Sequence, residues 1–472
     1  MVEPERNELQ FNILLLEGKT MENTQKKWPL GTWVCNLSFT FERMAYYTAK
    51  WLMAIFVVTE VAAGGLGLDQ ATGALMNSNI VAFTYLTPIF GGMIADRFIS
   101  PRLLVPVGEI LMGVGYLAAW QAHDISMIWV MIILVSLGTG CFKGNVSGVN
   151  GRLFTNAGLE DQLDAAFNLQ YSFVNIGSFV GTTFLSLLAT NVSMRLTFLV
   201  CAILLFVDCA MWVLVGFKLF GEAGKKPFLV DKAKNADVQE KNDAPLTKLE
   251  KNRVTAILIV TVFSGIFWLL WYLVYLPVYY EFGPVEQGGL GWANWNIGSF
   301  QMPTAWFDSL NALFCIIGCP IIAKVWAKLA SRPQGDLSMW RKTGLGIIIL
   351  GGSLFMMVAA ALLAGEGNGN PVGIWVIILV SLALTIGEII FSPLGNSFIN
   401  QYAPKKLLGT LLGVWPFIIF FSGKAYGPLY NWLAQFRFVT AFGVVGGIIV
   451  VIGVIMWITD KPFRNLIQAD QK

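Results

Sequence analysis

IIILGGSLFMMVAAALL, residues 347–363, runs for seventeen residues without a charge between the basic pair Arg341 and Lys342 and the acidic Glu366. With its flanks, a run of this kind crosses about 30 Å of hydrocarbon as a helix. Comparable blocks recur to either side, among them Phe198–Leu214 and Phe442–Ile458. The spans they predict are 33–61, 72–95, 101–121, 126–147, 163–189, 194–218, 251–280, 303–329, 342–364, 371–400, 407–427 and 438–459. None alternates polar and apolar residues as barrel strands do, so in lipid the backbone must satisfy itself within helices. The expected fold class is all-α and integral to the membrane, with about twelve transmembrane helices.

Composition and charge agree. Hydrophobic residues make up 56% of the 472 and charged residues only 13%, against roughly 25% charged in an average soluble domain. A polar tail precedes the first span, which carries Glu42, Arg43 and Lys50; a retained helix is expected there, since a cleavable signal has a short uncharged core. Lys and Arg gather in every second connection: Arg97 and Arg102, Arg152, the stretches 218–253 and 324–342, then Lys405 and Lys406. Stretches 62–71, 121–126, 281–302 and 365–371 hold none, and the exceptions Arg195 and Arg437 sit at span edges. By the positive-inside rule both termini are cytoplasmic, which an even number of spans requires, and the chain is expected in the cell (plasma) membrane. The net charge of +3 then reads as topology and attraction to the bilayer's inner leaflet, with no nucleic acid implied. The six cysteines lack metal-ligand spacing and read as small packing residues. His123, the single histidine, falls in an outer connection, which excludes a histidine proton relay. With no metal set, nucleophile elbow or phosphate loop, no enzyme, metal or cofactor is expected.

Residues 219–250 are the one long interior polar stretch and part the spans six and six. The expected organisation is a tail at 1–32, a six-helix bundle at 33–218, a cytoplasmic linker at 219–250, a second bundle at 251–459 and a tail at 460–472. IWVMIILVSL at 128–137 resembles IWVIILVSL at 374–382 with one residue skipped. Registered on the shared Leu-Val-Ser-Leu, Lys143 falls on the equivalent of Glu388, so a pseudo-twofold sets opposite charges across a central cavity. Chance likeness between two apolar helices is the alternative.

An ionised side chain at mid-span costs about 2.5–3.5 kcal/mol or more, and survives beside a wet cavity or a partner. This chain keeps Glu42, Arg43, Lys50, Lys143, Asp308, Glu388 and Lys424. Bases concentrate in the first half and carboxylates in the second, which suits a dipolar pocket; mutual neutralisation between helices is the plainer reading. Arg43 and Lys50, seven residues apart, share a helical face with Tyr46 and Tyr47 between them. Gly91 through Asp96 and Arg97 reads either as a gate latch or as a topology-fixing loop, while Glu109 and Asp208 are expected at helix interfaces.

At these residues the chain resembles the proton-dependent oligopeptide transporter family of the major facilitator superfamily. The family's E-x-x-E-R-F-x-Y-Y reads FTFERMAYY at 39–47, followed by Lys50; K-P-N-V-S reads KGNVS at 143–147. Further matches are Tyr85, YSFVNIGS at 171–178, WFDSLN at 306–311, GEIIFSP at 387–393 and Ala403 through Trp415. The resemblance implies two six-helix bundles, alternating access, and import of di- and tripeptides by proton symport. It also implies a monomer driven by the proton gradient without a cofactor.

Carried over by residue, Arg43 and Lys143 receive a peptide's carboxylate, and Glu388 and Asn311 hold its amino end. Tyr46, Tyr47, Lys50, Tyr85, Asn175, Trp306 and Trp415 belong to the binding region, Glu42 is the proton-linked acid, and Asp96 and Arg97 the gate. Two carboxylates of the family pattern are absent: Phe39 replaces the first Glu, and Tyr272 follows Phe267 and Trp268 where an acid is usual. Asp308, where the family often has Gln, is expected to supply a negative charge to Lys50 and to share in proton coupling. Other expectations remain open: a carrier of another organic anion or amphipathic metabolite, or a peptide sensor that does not transport.

Overall fold

The computed structural model describes residues 27–229 and 245–468; residues 1–26 and 469–472 of the expected tails and 230–244 of the expected linker lie outside them. The described residues form twelve long helices. The first six are α1 Gly31–Val58, α2 Gln70–Arg97, α3 Pro101–Trp120, α4 Ile125–Ala157, α5 Glu160–Asn191 and α6 Met194–Leu219. The second six are α7 Lys248–Tyr279, α8 Trp306–Ala330, α9 Met339–Leu363, α10 Ile374–Tyr402, α11 Leu408–Leu433 and α12 Phe438–Ile458. Ten are long and apolar enough to cross a bilayer; the other two are α1, which carries three charges, and α11. The chain is thus an all-α, multi-pass membrane protein. Most bounds fall within a few residues of the sequence-based spans, but α4 runs past 147 to Ala157.

Local chemistry sets several helix starts. Asp69 accepts the Thr72 amide at 2.7 Å and Asp124 the Ser126 amide at 2.8 Å, while Thr247 and Glu250 close a capping box at α7. Midway, α5 widens into a π turn at Gly181–Leu185. A Cβ at Gly181 would stand 2.5 Å from the Met44 carbonyl oxygen, so glycine lets α5 press against α1 at the level of the buried charges.

Within each half, tight pairs such as α3 on α4 and α9 on α12 carry the packing; α2 on α11 and α5 on α8 join the halves. Large apolar side chains such as Ile110, Val114, Val451 and Ile455 stay exposed along the rim, the surface that lipid covers. Among the described residues the Lys- and Arg-rich connections lie at one end, here termed the basic face, where Arg102 donates to the Gly221 carbonyl at 3.0 Å and Arg253 to that of Ile467 at 3.1 Å. At the opposite face, the connection between α7 and α8 carries short strands absent from the sequence reading. β1 Ala293–Asn294 pairs in parallel with Val372–Gly373, which precedes α10, and Asn296–Ile297 pairs with Phe300–Gln301. At the basic face a short helix, α13 Asp460–Ile467, stacks Phe463 on Trp340 at 4.1 Å.

Candidate functional site

Helical periodicity turns Phe39, Arg43, Tyr46, Tyr47 and Lys50 of α1 toward one cavity of about 430 Å³ between the halves. Its size is that of a site for a small organic solute. Lys143 enters from α4, Asn175 from α5, Tyr85 from α2, Asp308 and Asn311 from α8, and Glu388 from α10. Most of the residues singled out in the sequence therefore share a single void, including Lys143 and Glu388.

The charges in it fall into three groups. Glu42, fully buried and behind the wall, binds Arg43 through both guanidinium Nε and Nη2. The Arg43 guanidinium lies 4.7 Å from the Tyr46 ring and 5.6 Å from that of Tyr47. Lys50 pairs with Asp308 at 3.0 Å across the two halves, and the Tyr279 hydroxyl donates to the other Asp308 oxygen at 2.5 Å. The expectation that Asp308 replaces Lys50's missing partner from another helix matches this geometry. The third group is unpaired. Lys143 rests 4.8 Å over the Tyr85 ring with no carboxylate partner among the described residues. Glu388 accepts from Asn311 Nδ2 at 2.7 Å and Trp271 Nε1 at 3.1 Å and makes no ion pair among the described residues. An unneutralised cation on α4 and an unneutralised carboxylate on α10 thus face one cavity, the arrangement that receives a zwitterion end to end.

Not every expected residue belongs to it. Trp415 is buried outside the lining, where its indole fills the space left by Gly395 of α10. Trp306 is likewise absent from the lining and donates to the Thr183 carbonyl at 3.2 Å, tying α8 to α5. Asp96 and Arg97 stand at the end of α2, half-buried and exposed, and neither makes an ion pair among the described residues; no latch forms there in this conformation. Glu109 and Asp208 are fully buried within the first half, as interface residues. Lys424 of α11 bonds to the Asn79 side chain of α2.

Sequence reasoning overlooked the α7 wall: Trp268, Trp271, Tyr272 and Tyr275 all line the cavity. Their spacing, with 268, 272 and 275 on one helical face, was the available signal. The Tyr272 hydroxyl reaches that of Tyr85 at 3.4 Å, so the residue standing in place of an acid joins α7 to α2.

The cavity is directed to one side. On α4 its lining continues through Ser147, and on α5 down to Phe167, the portions of those helices nearest the basic face. Toward the opposite face the halves are bonded together. Trp51 donates to Thr304 at 2.9 Å, Thr182 and Ser309 meet at 2.8 Å, and Tyr426 donates to Asn77 at 2.6 Å. Gln70 donates to the Gly288 carbonyl at 3.1 Å.

Comparison with known proteins places these features among related molecules. The family model of the Major Facilitator Superfamily matches residues 39–428. A di-/tripeptide transporter of Lactococcus lactis subsp. cremoris is 24% identical over 90% of this chain and 94% of its own. Dipeptide and tripeptide permease A of Escherichia coli (strain K12) is 25% identical over 79% of this chain and 78% of its own. Among solved structures, a mutant of the peptide transporter POT in complex with alafosfalin has a TM-score of 0.82 at 23% identity, covering 93% of this chain and 96% of that one. A POT family transporter in complex with 5-aminolevulinic acid has a TM-score of 0.80 at 20% identity, covering 92% and 97%.

Proposed function

The chain belongs to the Major Facilitator Superfamily, and from that membership we propose that it is a secondary active transporter of the proton-dependent oligopeptide transporter kind, importing di- and tripeptides by proton symport. The observation that carries the reading is the unpaired Lys143 and the cation-free Glu388 in one cavity of about 430 Å³. A free peptide is a zwitterion with variable side chains. Its carboxylate is received by Lys143 and Arg43, and its ammonium by Glu388 and Asn311. Tyr46, Tyr47, Tyr85, Asn175 and the aromatic residues of α7 bear on its side chains, as sequence-tolerant walls.

In this reading the basic face is cytoplasmic, as are both termini, the protein works as a monomer in the cell membrane, and the structure is the inward-directed state. The Lys50–Asp308 pair closes the outer side. Protonation of Glu42 releases its hold on Arg43 and frees that guanidinium for the peptide carboxylate, while protonation of Asp308 releases Lys50 and lets the halves part outside. Coupling then arises because proton and peptide favour different states of one equilibrium. The likeness to a di-/tripeptide transporter and to a dipeptide and tripeptide permease supports peptides as cargo, and the relative bound to 5-aminolevulinic acid makes a smaller zwitterion the second reading.

Uptake of labelled dialanine into proteoliposomes tests the proposal. Accumulation under an imposed inward proton gradient, abolished when the gradient is collapsed, is the expected result. Lys143→Ala and Glu388→Ala are each expected to lower accumulation at least tenfold with the protein still folded. Gradient-independent equilibration removes symport; wild-type uptake by both variants removes the binding roles. Uptake of 5-aminolevulinic acid with none of dialanine selects the second reading.

A further inference from the structure

We infer that the outer face carries a second site for a small zwitterion, a free amino acid or dipeptide, assembled only while the halves are closed against each other there, so that its occupant holds the carrier inward-facing. The inference rests on the alternating-access reading above. A separate cavity of about 430 Å³ lies at that face. One side is Trp51 and Ile55 of α1 with Arg195 at the start of α6; the other is Glu286, Gln287 and Gln301 of the α7–α8 connection.

Two residues of its lining keep a buried polar atom without a partner among the described residues. Gln287 is only 6% exposed. Its Oε1 accepts the Thr304 hydroxyl at 3.0 Å and the Thr304 amide at 3.4 Å, while its Nε2 has no partner. Thr190 Oγ1, in the same lining, is also buried without a partner. Leaving such a group unpartnered costs on the order of 1–3 kcal/mol, and rotation of either side chain toward a carboxylate or carbonyl oxygen in the cavity removes that cost. The charges complete the match. Arg195 donates Nη1 to the Trp120 carbonyl at 3.2 Å, leans on Phe56 at 5.2 Å and makes no ion pair among the described residues. Glu286, on the opposite wall, accepts the neutral Gln301 amide at 3.0 Å and makes no ion pair among the described residues. An unneutralised cation, an unneutralised anion and an indole wall repeat, at smaller depth, the chemistry of the central cavity.

State dependence follows from connectivity. Trp51 Nε1 donates to Thr304 at 2.9 Å, and Thr304 donates to Gln287, so one hydrogen-bonded chain holds the cavity and the closed outer side together. Opening that side parts Arg195 from Glu286 and dismantles the site. A ligand that binds one state alone shifts the equilibrium toward it. At external dialanine ten times the site's Kd, about one carrier in eleven is free to open, so uptake falls roughly tenfold from its maximum.

The test is calorimetric titration of dialanine into the purified full chain, paired with initial uptake rates over a wide external range. The wild type is expected to show two binding events and rates that rise and then fall. Arg195→Gln and Glu286→Gln are each expected to lose one event and the fall, with rates at low dialanine unchanged. Lys143→Ala is expected to lose the other event and keep this one. Titrations of Arg195→Gln and Glu286→Gln identical to wild type, with the fall in rate preserved, overturn the outer site; an unchanged titration of Lys143→Ala instead overturns the central reading and leaves this one standing.

Discussion

Lys50 and Asp308 tie a cation of α1 to a carboxylate of α8, 3.0 Å apart, and both side chains are about 5% exposed or less. Removing one partner of a buried pair leaves an uncompensated charge, at a cost on the order of 3 kcal/mol, whereas replacing both with apolar groups of similar size is close to neutral. Asp308→Asn is therefore expected to lower the melting temperature in detergent, and Lys50→Met with Asp308→Leu to restore most of it; equal melting of the single variant and wild type contradicts the pairing. That Lys50 needs a partner follows from the cost of a mid-span charge, and the family resemblance pointed to Asp308 as its source. Arg43, Lys143 and Glu388 stood out as mid-span charges, while Asn311, a neutral side chain, was marked only by the family resemblance. The place of Trp415 was not legible, since an indole serves equally as pocket wall and as filler against a glycine, and only the packing at Gly395 decides between them.

At the scale of elements, hydropathy located the helices because the bilayer imposes their length. It could not find the end of α4, whose last turns leave the apolar layer while their backbone bonds continue to Ala157. Nor could it find the two-residue strands at the face opposite the basic one, which are too short for a period. The α7 aromatic stripe had a readable period, but in a chain with 17 Trp, 12 Tyr and 34 Phe one more aromatic face carries little signal. A loop joins two elements in a way that acid can probe. Glu366, at φ 49° in the α9–α10 connection, accepts the Val439 amide at 3.0 Å and Arg437 Nη2 at 2.8 Å, anchoring the start of α12. Those two groups, the amide first, hold its carboxyl below the usual carboxylate range. A lowered folded value means that the stabilisation is complete above the ordinary value of about pH 4.3 and is lost as pH falls through the folded one. Glu366→Gln is expected to melt a few degrees below wild type at pH 7, and the difference to shrink with acidification below pH 4. A difference that grows in acid contradicts the anchor.

Across the whole molecule, the two halves meet through hydrogen bonds at the face opposite the basic one and separate around a charged void toward the basic face. Lipid explains the apolar rim, and a watery chamber explains how so many ionisable groups persist inside it. The central claim is that Lys143 and Glu388 each hold one end of a zwitterion. The most direct measurement is a cycle of dissociation constants for dialanine, N-acetyl-dialanine and dialanine amide against the wild type, Lys143→Ala and Glu388→Gln. If each residue binds its assigned end, capping the amine weakens binding to the wild type but little further to Glu388→Gln, and amidating the carboxylate weakens it little further in Lys143→Ala. Fully additive losses in both pairs, or affinities indifferent to capping, contradict the account.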